Sequence, residues 1–157
     1  MPNFSFSYDE YPKIDSLPEP NKLLVEAAAK SCSNAYAPYS NFKVGCAVLL
    51  NNGQIITGAN VENASYPVGI CAERTALSHV ISNFPEAQIE RIAVSYLSEK
   101  ELNQIIFPCG MCRQFILECQ TRNKKTIEII LHAPSNKCII IENASDLIPF
   151  GFTGEIL

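Results

Sequence analysis

The chain has 157 residues, 47% of them hydrophobic, and a formal net charge of −4. That length fits a single domain, and that much apolar side chain can fill a core large enough to offset the entropy of ordering it. The largest basic cluster is Arg122, Lys124 and Lys125, so no basic stripe points to a duplex or a membrane surface as partner. No apolar run approaches the ~20 residues that span a bilayer.

Residues 1–20 carry Pro2, Pro12, Pro18 and Pro20 without periodicity and are expected to form an extended arm, either mobile or laid on a partner surface. The opening MPNFSFSYDEYPKID lacks the basic and apolar regions of a secretory signal, so the chain is expected in a reducing cytoplasm. The domain proper is expected over 21–157. Asn21 is a candidate N-cap for a helix over NKLLVEAAAKSCSNAY. There Leu24, Ala27 or Ala28, Ser31 and Ala35 share a face, and Pro38 would stop the helix. FKVGCAVLL and QIITGANV are β-branched runs joined by NNG, a hairpin signal. VENASYPVGI is turn-rich and reads as a loop. CAERTALSHVISNF reads as a helix from near Cys71 to before Pro85, IERIAVSYL as a buried strand, and CGMCRQFILECQT as a helix opening just after Pro108. TIEIILHA and KCIIIEN give two more strands across PSN, and ASDLIPF a short last helix ended by Pro149 and Gly151. This order implies an α/β fold with a mixed sheet covered on both faces.

Seven cysteines in a reducing compartment are expected as free thiols, ligands or catalysts rather than disulfides. Cys109 and Cys112 form C-x-x-C, which alone suits a redox pair, half of a zinc site, or two core cysteines. Cys71 shifts the balance towards metal, because it too begins a predicted helix. Helix N-termini stabilise thiolates, and three thiolates at two such ends can converge on one zinc. Three protein ligands leave a position open, the mark of a catalytic zinc, where a water becomes a nucleophile near neutral pH. Glu73, two residues after Cys71, is placed to move protons at that position. Arg74 can donate hydrogen bonds to the sulphurs and temper their charge, and Arg113 is a second candidate for that work or a surface side chain. Cys32, Cys46, Cys119 and Cys138 are expected in the core. His79 and His132 have no ligand spacing and are expected to be structural.

C-A-E followed by P-C-x-x-C resembles the signature of the zinc-dependent cytidine deaminase superfamily. The likeness extends through AYAPYSNFKVG, GANVENASYPVGICAER, PCGMCRQ and DLIPFGF, from about Leu23 to the C-terminus, and is to the small deaminases of free nucleosides. It implies a three-layer α/β/α sandwich around a mixed five-stranded sheet, assembled as a homotetramer, with one Zn²⁺ per chain on Cys71, Cys109 and Cys112. It also implies Glu73 as the proton shuttle, Asn60 and Glu62 on the ribose hydroxyls, and Phe42 stacked near the base. Backbone groups around Ala72 and Cys109 would meet the pyrimidine edge, and Tyr66 and Phe152 would lie at a subunit interface, with Phe152 reaching a neighbour's site. The implied reaction turns cytidine and 2′-deoxycytidine into uridine and 2′-deoxyuridine plus ammonia, a step of pyrimidine salvage. Another aminopyrimidine nucleoside such as blasticidin S is the alternative substrate. A polynucleotide editor is disfavoured because its first ligand is normally histidine, where Cys71 stands. A non-catalytic zinc module would need a fourth ligand, for which Cys46 is a candidate. Phe150 departs from the family pattern, standing where smaller residues are common.

Overall fold

The computed structural model describes residues 1–99 and 102–154. Its elements in chain order are β1 (Asp9–Tyr11), α1 (Glu19–Ser31), β2 (Lys43–Leu50), β3 (Ile55–Ala59), α2 (Ala72–Asn83), β4 (Ile89–Leu97), α3 (Gly110–Asn123), β5 (Glu128–His132) and β6 (Cys138–Ile141). The strands form one sheet in the order β1-β6-β5-β4-β2-β3. Only β4 and β5 run parallel, and α3 makes the crossover between them, as a parallel pair requires. The mixed α/β sheet expected from the sequence is therefore present, with six strands rather than five.

The extra strand comes from the N-terminal segment. Asp9, Glu10 and Tyr11 pair antiparallel with Ile140, Ile139 and Cys138, and Lys137 binds Glu10 at 3.0 Å. Three residues show no readable alternation. They become a strand because β6 offers an unpaired edge and because Tyr11, Ile14 and Leu17 then find apolar cover beneath α1.

Strand alternation sorts the core into two layers. Ala47, Ala93, Ile130, Cys138 and Ile140 face α1, meeting Leu24, Val25 and Ala28. Cys46, Val48, Ile92, Val94, Ile129 and Leu131 face the other way, onto Ala72, Ala76, Leu77 and Val80 of α2 and Ile116 and Cys119 of α3. Two glycines let the helices close on the sheet. A Cβ at Gly45 would collide with the Ala28 carbonyl, and one at Gly58 would stand 2.5 Å from the Ala76 nitrogen and 2.8 Å from the Ala72 carbonyl. Gly58 thereby sets the height at which the first turns of α2 ride over β3.

The first helix begins two residues before the expected cap. Pro20 sits in its first turn, where a missing N–H costs nothing, and Pro18 takes the cap position. Asn21 is inside the helix and buried, its amide donating to Glu128 Oε1 at 2.9 Å. The helix ends at Ser31 in a 3₁₀ turn over Cys32–Asn34, ahead of Pro38. The expected last helix over ASDLIPF is a 3₁₀ turn over Ala144–Leu147, and the remaining boundaries lie close to those read from the sequence, including β4 over Ile89–Leu97.

Candidate metal centre and the pocket above it

Both helices on the lower face begin immediately after a cysteine. Cys71 caps α2 and Cys109 caps α3, each with extended backbone angles, and Cys112 lies in the first turn of α3. Two positive helix ends thus aim at one spot. The three Sγ atoms lie within 4.8 Å of one another, with Cys71–Cys109 at 3.7 Å and Cys109–Cys112 at 3.5 Å. Sulphurs on a tetrahedral zinc, each ~2.3 Å from the metal, stand about 3.8 Å apart. Two edges of the triangle therefore already match a zinc-thiolate face. No further His, Cys, Asp or Glu ligand atom joins the group among the described residues. The donor set suits zinc with an open fourth position.

Electrostatics at the triangle favours a thiolate. Hydrogen bonds from the Cys112 and Cys109 thiols and the Arg74 guanidinium hold Cys71 down at about 5, against the opposing effect of burial. Cys112 is pushed up, first by the Cys71 sulphur, then by its own burial and by Glu73. Arg74 lies within hydrogen-bonding reach of Cys71 and Cys112, while its Nη2 donates to the Gly69 carbonyl at 3.1 Å. Its buried Nε has no protein partner among the described residues. Glu73, in the first turn of α2, is 4% exposed, and burial followed by the Cys71 thiolate raises its pKa. Arg113 serves elsewhere. It donates to the Pro108 and Leu147 carbonyls at 2.8 and 3.0 Å, fixing the entry to α3.

A cavity of about 480 Å³ opens above Cys71, walled by Arg74, Asn60, Glu62, Tyr39, Tyr66 and Met111 among others. Asn60 and Glu62 are held firmly. The Asn60 amide accepts from Val44 N at 2.7 Å and donates to the Phe42 carbonyl at 3.0 Å, stitching the end of β3 to the start of β2. Glu62 accepts from Tyr39 N at 2.9 Å, from Ser40 N at 3.3 Å and from the Ser40 hydroxyl, and these donors hold its carboxyl below the usual range. Ser40 and Tyr39 were not singled out from the sequence. Their contact with Glu62 spans 22 and 23 residues and leaves no local signal.

The other expected site residues are scattered. Ala72 is fully buried at the start of α2. Tyr66 is 79% exposed on the cavity rim, edge-on to Tyr39 at 6.4 Å. Phe42 lines a neighbouring hollow and stacks on Tyr96 at 5.2 Å. Phe152 is exposed, its backbone gripped at both ends by the Gln114 amide at 2.7 and 3.2 Å. Phe150 stands fully in solvent with φ of 61°. All seven cysteines are free, and Cys32, Cys46, Cys119 and Cys138 are buried as expected. His79 lies against Phe84 at 6.0 Å, and His132 bonds Ser95 at 2.8 Å.

Comparison with known proteins agrees with this geometry. A family model described as the cytidine and deoxycytidylate deaminase zinc-binding region matches residues 18–127. The chain is 35% identical over 134 residues to a cytidine deaminase of Halalkalibacterium halodurans, covering 85% of this chain and 95% of that one. It is 44% identical over 89 residues to a cytidine deaminase of Mycoplasma pneumoniae, covering 57% of this chain and 64% of that one. The crystal structure of cytidine deaminase from Burkholderia pseudomallei superposes with a TM-score of 0.72 at 41% identity, over 83% of this chain and 97% of that one.

Proposed function

The chain belongs to the family of zinc-binding cytidine and deoxycytidylate deaminases, and we propose that it hydrolyses cytidine and 2′-deoxycytidine to the uracil nucleosides and ammonia, with Glu73 moving the protons. The observation that carries this reading is the sulphur triangle with a buried carboxyl in the adjoining helical turn. Cys71, Cys109 and Cys112 would hold a zinc ion, which would supply a Lewis-acid centre and lower the pKa of a bound water. Glu73 would take a proton from the water whose oxygen joins C4 of the base and deliver one to ring N3. It would then move the proton of the new C4 hydroxyl to the exocyclic nitrogen, and ammonia leaves as the C4–N bond breaks and the C4 oxygen becomes a carbonyl. Arg74 offsets the negative charge of the sulphurs.

Asn60 and Glu62 hold the ribose hydroxyls. Their use of protein partners supports this, because side chains already fixed meet a ligand with little further loss of freedom. Phe42 faces the base, and backbone groups near Ala72 and Cys109 meet its edge. The chain assembles as a homotetramer in which Tyr66 and Phe152 contribute across subunits. Supporting this, Tyr39, Val61, Tyr66 and Met111 line the cavity and are exposed apolar side chains. The protein works in the cytoplasm, in keeping with its seven free cysteines. No described helix is long and apolar enough to cross a membrane.

The test is to follow the cytidine absorbance band on mixing with purified protein, with zinc per chain measured on the same sample. Conversion to uridine at about one zinc per chain is expected, and Glu73→Gln is expected to keep the metal while slowing turnover by about 10²–10⁴-fold. Zinc without turnover of any cytosine nucleoside would overturn the reading.

A further inference from the structure

At the end of β4, Tyr96 links the two halves of the site without belonging to either. Its side chain follows Ile92 and Val94 onto the face that carries α2 and α3, and it is 1% exposed. The single hydroxyl hydrogen is shared between two carbonyls, Leu102 O at 2.7 Å and Gln104 O at 2.8 Å. Those carbonyls belong to the segment that runs through Ile105 and Ile106, which pack on the core, to Pro108 and Cys109. The opposite contact is to Phe42, whose ring lies 5.2 Å away and 20° from parallel. Phe42 in turn accepts from the Asn60 amide through its carbonyl, and its N–H donates at 3.0 Å to Ser40, the residue that binds Glu62.

We propose that Tyr96 is a positioning residue that sets the distance and angle between the Phe42–Asn60–Glu62 wall and the zinc-ligand segment ending at Cys109. A phenol suits the task because its two functions are separable. The flat ring fixes the plane of Phe42, and the hydroxyl holds two carbonyls of a segment that makes no strand of its own. Tyr96 itself is buried, so its ring and hydroxyl are held in place between these two partners. For the effect on nucleoside binding, the proposal rests on Phe42 facing the base. The effect on Cys109 is independent of that reading.

Two variants separate the functions, assayed in the zinc-loaded protein below its melting temperature. Tyr96→Phe keeps the ring and frees the carbonyls. It is expected to speed zinc transfer to a chromogenic chelator by about fivefold, the worth of one hydrogen bond, and to lower kcat by a similar factor with KM unchanged. Tyr96→Leu removes the ring as well and is expected to raise KM for cytidine about tenfold on top of those changes. A Tyr96→Phe protein with wild-type zinc release and wild-type kcat overturns the proposal, even if its melting temperature falls. So does a Tyr96→Leu protein that folds with unchanged KM. If Tyr96→Leu does not fold, Tyr96→Phe decides alone. Should the wild type turn over no cytidine, the substrate reading fails, while zinc release from Tyr96→Phe still reports on the segment before Cys109.

Discussion

Cys71, held at about 5 where α2 begins, and Cys119, pushed up to about 12 in the body of α3, are the same side chain in two settings. At the helix mouths, thiol and guanidinium donors surround the sulphur and uncompensated N–H groups point at it. Away from the helix mouths, burial penalises any charge, and Cys32 and Cys138 are likewise raised to about 11 by burial. The difference teaches that this fold makes a metal ligand from position rather than from residue type. The lowered thiol, Cys71, stands where a helix starts and its neighbours donate to it, whereas Cys112 in the first turn of α3 is pushed up by that same sulphur.

The sharpest way to break that contrast is to remove a sulphur from each region. Cys109→Ala should lose the zinc and, with it, the several kcal/mol the metal gives the transition state, a fall of about 10³-fold or more in deamination. Metal content by atomic absorption alongside kcat/KM checks it, and a Cys109→Ala protein that keeps both would end the thiolate reading. A smaller effect comes from the seat of α2. Gly58→Ala places a methyl against the Ala72 carbonyl and the Ala76 nitrogen, so the helix carrying Glu73 must move. The expected cost is about 1–3 kcal/mol in urea unfolding. An unchanged midpoint would mean the helix height is not set there.

The opposite face of the sheet offers a titration. Burial holds the His132 pKa below its ordinary value of 6.5, and its surroundings are the Ser95 hydroxyl and the Asn136 side chain. The folded protein keeps this imidazole neutral, whereas the unfolded chain takes up its proton as pH falls below about 6.5. Stability conferred by the neutral ring is therefore full above that pH and declines below it, by at most ~1.4 kcal/mol per pH unit. Urea midpoints of wild type and His132→Gln at two pH values on either side of it check the sign, because the variant should show the shallower decline. The smallest effect closes the comparison. Cys119→Ala should cost about 1 kcal/mol, the scale of one lost methylene, and leave zinc content and kcat at the wild-type level. Lost zinc in that variant would erase the distinction between the two cysteine settings.

Much of the site was legible in the chain because its parts are local. Cys71 with Glu73, and Cys109 with Cys112, are each set by spacing within a single helical turn, and Gly and Pro neighbours mark where the helices begin. The hairpin at Asn51–Gly53 and the buried β4 are local in the same sense. Asn21 was harder, because proline in a first turn and an asparagine cap look alike in sequence, and the arbiter was Glu128, 107 residues away. β1 was hidden for a related reason, since a strand of three residues is created by the edge it meets.

By itself the sequence determined the class of fold and the zinc-binding cysteine pattern, since ligand type, ligand spacing and helix starts are properties of contiguous residues. Only the tertiary structure decided that the two cysteine-bearing turns meet with sulphurs 3.7 Å apart. It alone joined Ser40 to Glu62, stacked Phe42 on Tyr96, and tied Tyr96 to the segment before Cys109. Ser40–Glu62 and Phe42–Tyr96 join segments far apart in the chain, and the Tyr96 bonds are made within an irregular loop, so no periodic pattern announces any of them.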